Sequence, residues 1–484
     1  MKKIKFSGVV AIVFITTSAC FAQTNNTAGL SAIREPDLKK DLYEFADDHF
    51  KGREASTLDE LKAAAWLAEK ARAAGLKPAG DDGSYFQYFN LYRNRVTNNT
   101  TVKIGERSFS LLKDMLISQI APATVSAPIV FLENINDLEN IDIKGKAVAF
   151  KVSKDDNYLS IPLEHRKYLG YVSRNYAPAF INKGAAAIIF IADDISENSW
   201  AENIPYLTMG SYDIEGGPYS KTENKPPYIW LHQSELAFIK KGEQTLTASI
   251  NVESYLYPSI NVVAKVDGTN PGLSKEYVLF SAHIDHDGIR TPVGTDSIYN
   301  GADDNGSACV ALLAIGRAFK KQPGKRSALF VWHGAEERGL LGSKWYATHP
   351  TVPKKSIVAV LNADMIGRNN PDSAALLGST IPHLNSKDLV NMALSANKEG
   401  PNFKLDKEWD KPDHPEGFYF RSDHYPYSME NMPAIFYTTL LHNEYHTPLD
   451  EASHIDYKKL TKMTEWMYRT GWKVANANTR PKLD

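Results

Sequence analysis

Four apolar runs constrain this chain more than any other feature: Tyr277 to Ala282, Ala328 to Trp332, Ile357 to Ala363 and Ala434 to Leu440. Asn261 to Val266 precedes them, and helical segments such as Gly306 to Lys320 separate them. Strands that are apolar throughout must be covered on both faces. The pattern therefore predicts an α/β fold, a mixed and largely parallel sheet with helices on either side. Such sheets gather ligands at the carboxyl ends of their strands, and this chain places metal-type side chains there. His283 follows the first run, Glu336 and Glu337 the second, and Asp364 the third. Neighbouring residues at a strand end point in opposite directions, so the two glutamates can have separate tasks. A single Glu-Glu pair is ordinarily solvated charge. Three successive strands that each empty into His or a carboxylate are not explained that way. Asp304, which alone would read as a helix cap, and His446, in Tyr445-His446-Thr447-Pro448, complete the set.

The 484 residues exceed one ordinary domain and suggest two, or one with a large insertion. A hydrophobic share of 43% supplies a core, and a formal net charge of -2 gives no support for nucleic-acid binding. Met1-Lys2-Lys3 followed by the apolar run Phe6 to Ile15 and the small residues before Gln23 reads as an export signal over residues 1–22. The run is too short to span a bilayer, which takes roughly 20 apolar residues. The chain is expected to be periplasmic or secreted, with a lipid anchor on Cys20 as the alternative. Thr17, three residues before Cys20, is not the aliphatic residue usual in such anchors. Loss of Cys20 would leave Cys309 alone, without a disulfide.

Glu35 to Phe50 reads as a helix. A second helix opens on a capping box, Thr57-Leu58-Asp59-Glu60, carries Leu61, Ala64, Ala65, Ala68 and Ala71 on one face, and stops at Gly75. Gly52-Arg53-Glu54 between them reads as a turn, with a contribution to a site as the alternative. From about Thr101 to Tyr255 short β-type runs dominate, with one helix over Tyr176 to Lys183. This stretch contains no cluster of His, Cys or carboxylates and is expected to be a separate β-rich module that binds or shields. Its aromatic segment, Tyr206 to Gly210 and Tyr228 to Trp230, is expected to pack a core, with a face toward substrate as the alternative.

The motifs together closely resemble the M28 family of zinc peptidases. They are Ala282-His283-Ile284-Asp285-His286, Tyr299 to Ser307, Gly334 to Ser343, Asn362 to Gly367, Arg421-Ser422-Asp423-His424 and Tyr445-His446-Thr447-Pro448. The resemblance covers most of Tyr257 to Trp472 and extends to Gly52-Arg53. After the export signal (1–22), it implies an N-terminal helical part of the peptidase domain (23–100), a protease-associated-like β-rich insertion (101–255) and the peptidase domain proper (256–484).

The same resemblance implies roles. His283 and Asp364 would hold one zinc ion, Glu337 and His446 a second, and Asp304 would bridge them. Cobalt or manganese are possible substitutes. Glu336 would be the general base, Tyr445 a donor to the oxyanion, and Asp285 a partner for the His283 imidazole. His286, His333, Asp423 and His424 would support the site from behind, and Arg421 would meet either substrate or an ion-pair partner. The expected activity is that of an aminopeptidase acting on peptides. The alternatives are a carboxypeptidase or dipeptidase of the same family, a one-zinc glutaminyl cyclase, and a non-catalytic peptide-binding protein.

Overall fold

The computed structural model describes residues 28–153, 167–217, 220 and 223–484. The expected export signal and Cys20 lie outside the described residues. The main sheet has the strand order 404–406, 373–377, 434–438, 357–363, 277–283, 327–333, 252–266, 86–96, 211–214, with 77–78 pairing onto 252–266. Its centre, 327–333 to 277–283 to 357–363 to 434–438, is parallel throughout, while the flanking pairs are mostly antiparallel. The sheet is mixed, as the apolar runs predict, but it is parallel mainly at its centre, so the expectation of a largely parallel sheet is corrected: the outer strands pair mostly antiparallel. Each central strand is buried along its length, apart from half-buried Tyr277 at the start of one. Helices Glu35–Phe45, Leu58–Ala73, Ala308–Lys321 and Tyr457–Asn476 pack on one face, and Leu341–Thr348 and His424–Met429 lie on the other.

Several local expectations are corrected. The first helix stops at Phe45, and a tighter turn, Asp48–Arg53, follows it, with left-handed backbone at Lys51 and Gly52. In the second helix Thr57 caps the amides of Asp59 and Glu60, but Glu60 does not complete the box. Its carboxyl turns inward, accepting from the Ser56 amide (2.7 Å) and the Ser259 hydroxyl (2.8 Å). Burial against the sheet outweighs the local cap. Ala65 is exposed, and Ala63 and Leu67 take the inner face instead. Helix Ala308–Lys321, whose sequence offers Ala308, Ala311, Leu312, Ile315 and Phe319 as one inward face, is buried nearly all round because the N-terminal segment and the C-terminal helix cover its outer side.

A second sheet, of eight strands, is built from 101–104, 107–109, 115–117, 123–132, 147–151, 187–191, 228–231 and 245–250. It has its own apolar clusters on its two faces. The helix expected over Tyr176 to Lys183 runs Tyr168–Asn182, longer than expected, and further helices, among them Trp200–Met209, lie in this part as well. Strand 252–266 passes unbroken from this part of the chain into the main sheet, paired with 86–96 from Val252 opposite Val96 to Val262 opposite Phe86. Among the described residues no helix is long and apolar enough to cross a membrane.

Candidate metal centre

The central parallel strands end together, and their last residues meet. His283 closes one strand and Asp364 follows another. Glu336 and Glu337 sit in the turn after His333, and His446 lies beyond the strand that ends at Thr438. Asp304 enters from the turn ahead of helix Ala308–Lys321. Asp304 stands between two groups. Its Oδ1 is 3.2 Å from His283 Nε2 and its Oδ2 is 3.1 Å from His446 Nε2. Asp364 Oδ1 lies 3.4 Å from His283 Nε2 on one side, and Glu337 Oε1 lies 3.2 Å from His446 Nε2 on the other. Glu336 is more distant, with Oε2 3.9 Å from His283 Nε2. Asp303 points away: its Oδ1 accepts from the Gly367 amide and its Oδ2 faces His442. Ala335, Met365 and His446, each within or beside the cluster, hold left-handed backbone. Residues with a Cβ rarely adopt that conformation unless their surroundings impose it.

The site is buried and dense in charge. Burial pushes Glu336 well up, and the carboxylates of Glu337, Asp423 and Asp364 add to that against the pull of His283. Glu337 goes the opposite way: His446 and His286 overcome burial and hold it well below the usual range. Adjacent carboxyls are thus shifted in opposite directions by their different neighbours. Burial and Glu337 push Asp304 up, yet His283, His286 and His446 bring it down. Burial lowers His283, but Asp364, Glu336 and Asp304 hold it well above its ordinary value.

These groups fit divalent cations. His283 Nε2 and Asp364 Oδ1 are buried without a hydrogen-bond partner. The Asp285 carbonyl, which can only accept, lies 3.0 Å from His283 Nδ1, so that nitrogen carries the proton and Nε2 keeps its lone pair for the site. Two clusters have ligand atoms close enough to share an ion: His286, Asp304, Glu337 and His446, and His283, Glu336 and Asp364. Imidazole and carboxylate donors without thiolate suit zinc.

Residues 261–470 match the model of peptidase family M28. That stretch is an M28 domain. An aminopeptidase of Pseudomonas aeruginosa is 30% identical over 189 residues, which are 38% of this chain and 31% of that protein. Aminopeptidase YwaD of Bacillus subtilis is 26% identical over 189 residues, 38% of this chain and 39% of that protein. The chain thus spans about a third of the length of these curated relatives. In overall fold it is similar to an aminopeptidase from Aneurinibacillus sp. strain AM-1, with a TM-score of 0.59 at 17% identity over 95% of this chain and 97% of the other. The zinc aminopeptidase of Bacillus subtilis gives 0.57 at 17% identity, over 93% of this chain and 97% of that one.

Around its clusters the M28 domain has a second layer of polar contacts. The Asp285 carboxylate accepts from the amides of Glu336 (2.9 Å) and Glu337 (3.2 Å), and the residue meets His283 through its main-chain carbonyl. Asp285 is thus the partner of the His283 imidazole, as expected, through its main chain. The turn after the strand presents two unpaired amides, and a carboxylate is the group that satisfies both. Ser422 donates to Asp364 Oδ2 (2.8 Å) and in turn accepts from Asn362 (2.7 Å). Asp450 accepts from the amides of Asp303 and Asp304.

His286, expected only in support, lies in the cluster, with Nδ1 2.9 Å from Glu337 Oε1. His333 and His424 are core residues. His333 bonds Tyr427 and faces Asn261, and His424 is packed between Tyr419 and Phe436. Burial drives both down to about 3, so they are neutral. Asp423, buried among the site carboxyls, is pushed up to about 7.

Sequence reasoning left Arg53 as a turn residue. It is fully buried and donates to the carbonyls of Ile284 (2.7 Å), Asn300 (2.6 Å) and Gly301 (3.0 Å), tying together the backbone beside His283 and Asp304. An arginine beside Gly52 was the available signal.

The clusters open into a cleft of about 320 Å³. Phe418, Phe420, Leu340 and Met365 give it apolar wall, and Arg421, Tyr445 and Lys167 stand on its lining. Arg421 pairs with Glu416 (2.5 Å) and donates to the Tyr445 phenol oxygen (3.0 Å).

Proposed function

We propose that this chain is an exported zinc exopeptidase with two metal ions, an aminopeptidase that removes N-terminal residues from peptides. The observation that carries the proposal is Asp304, whose two oxygens face two histidines on opposite sides. In this reading His283 and Asp364 hold one ion, Glu337 and His446 the other, and Asp304 both. Two zinc ions so held supply Lewis-acid activation of water and stabilise the charge of the transition state.

The chain's own residues do the rest. Glu336 is set 3.9 Å from the nearest imidazole and has an elevated proton affinity. It takes a proton from the attacking water and returns it to the leaving amine. The Tyr445 phenol, which accepts from Arg421, is read as the donor to the developing oxyanion. Surplus carboxylate at the head of the cleft favours a free α-amine, and the apolar wall receives the first side chain. The names of the relatives and of the similar structures support the same activity. The β-rich part, which leaves and rejoins the main sheet through the 86–96 and 252–266 ribbon, is read as a protease-associated insertion.

A paired peptide set tests the proposal, one member with a free N-terminus and the other N-acetylated. Release of the first residue from the free-amine peptide alone supports an aminopeptidase. Release of C-terminal residues from both would make it a carboxypeptidase, and cleavage of neither by the zinc-loaded protein would refute peptidase activity.

A further inference from the structure

One helix, Trp200–Met209, has its two ends in different cores. Trp200, Ile204 and Leu207 pack with the second sheet. Tyr206 and Met209 pack instead with Phe89, Ala335 and Leu341, the last two flanking the Glu336–Glu337 turn. Met209 Sδ also accepts from Arg290 (3.2 Å), which is paired with Glu54. The helix is therefore braced against the back of the candidate metal centre.

At that point lies Asp287, a carboxylate only 1% exposed. Arg338 Nη2 donates to its Oδ1 (3.2 Å), and the Tyr206 hydroxyl donates to its Oδ2 (3.4 Å). The same Oδ2 is 3.4 Å from His446 Nδ1. The other nitrogen of that imidazole faces Asp304 and Glu337. A carboxylate behind a metal-binding imidazole fixes its tautomer and direction and raises its basicity.

We propose that Asp287 is a positioning residue for His446 and that Tyr206, carried in by helix Trp200–Met209, holds Asp287 in place. The β-rich part thereby contributes to the metal centre itself, not only to access. This inference rests on the two-metal reading above. Arg338 pairs with Asp287 and offsets the cost of burying its charge. Tyr206 then decides which way Oδ2 points. Displacement of the helix would remove that restraint and loosen the ion held by His446, leaving the ion held by His283 and Asp364 undisturbed.

The test uses the full-length protein and two variants, Asp287→Asn and Tyr206→Phe. Affinities for the two zinc ions are measured by chelator competition, and the cobalt-substituted forms are compared by visible spectroscopy. The expected result is two ions in the parent and a selective weakening of one, by roughly 10–100-fold in Asp287→Asn and by less in Tyr206→Phe. The tighter ion should keep its affinity, and the cobalt spectrum should change for one site only. Tyr206→Phe removes a single hydroxyl and keeps the ring's packing, so it tests the inference even where Asp287→Asn does not fold. A parent with two ions and variants that match it in affinity and spectrum would overturn this inference alone. A parent that binds no pair of ions would overturn the two-metal reading and this inference with it.

Discussion

Replacement of Arg53 by methionine should destabilise the fold and the candidate site together. The guanidinium makes bonds of 2.6, 2.7 and 3.0 Å to three carbonyls, all in the interior. Bonds to a charged donor contribute about 1.5–3 kcal/mol each, so the gross loss is on the order of 4–9 kcal/mol. Part of that is offset, because burial disfavours the charged guanidinium even with Asp285, Asp304 and Asp450 nearby. A net loss of about 3–5 kcal/mol is typical when one member of a buried charge network is removed. Methionine keeps the unbranched stem and removes the guanidinium donors, leaving the Gly301 carbonyl with the Gly306 amide alone. The assay is urea unfolding in the presence of chelator, followed by the fluorescence of buried Trp332 and Trp466. The expected change is a fall in midpoint on the order of 1 M. Arg34→Met is the control. Its pair with Asp37 is exposed, so its effect should stay within about 0.5 kcal/mol. Coincident midpoints for Arg53→Met and the parent would refute the reasoning.

Glu336→Gln should retain both zinc ions while kcat falls about 10²–10⁴-fold. Metal analysis beside peptide turnover checks it, and parental turnover would remove Glu336 as the base. Glu60 offers a test in pH. Burial, with the Asp285 charge, pushes its carboxyl up to about 8 from an ordinary 4.5, so it is protonated in the folded protein at neutral pH. Between those values the folded state binds more protons than the unfolded state. Its contribution is therefore fully present below about 4.5 and is lost as pH rises through about 8. Glu60→Gln should flatten the decline in melting temperature across that range, and a decline equal to the parent's would count against a buried neutral acid.

The fold was legible because burial on both sides leaves no freedom in composition: Leu329-Phe330-Val331 and Val358-Ala359-Val360 are apolar at every position and lie at the sheet centre. The residues that meet at the candidate site were legible because each stands at or beyond the end of such a strand or, for Asp304, just ahead of a helix. Less was legible where a tertiary contact outweighs a local pattern. Glu60 matches a cap yet turns to Ser259, and helix Ala308–Lys321 carries an amphipathic pattern yet is covered outside as well as inside. Asp285 was assigned the correct neighbour, but spacing does not say whether the side chain or the carbonyl beside it makes the contact. Asp287 and Tyr206, 81 positions apart, were not paired at all. Nothing periodic links a helix in the β-rich part to a loop of the main sheet.

The most direct test of the account is to locate the metal by anomalous diffraction at the zinc edge in crystals of the zinc-loaded protein. The account predicts two peaks about 3.5–4 Å apart, one against His283 and Asp364, the other against Glu337 and His446, with Asp304 touching both. A single peak, or two peaks that do not share Asp304, would contradict it.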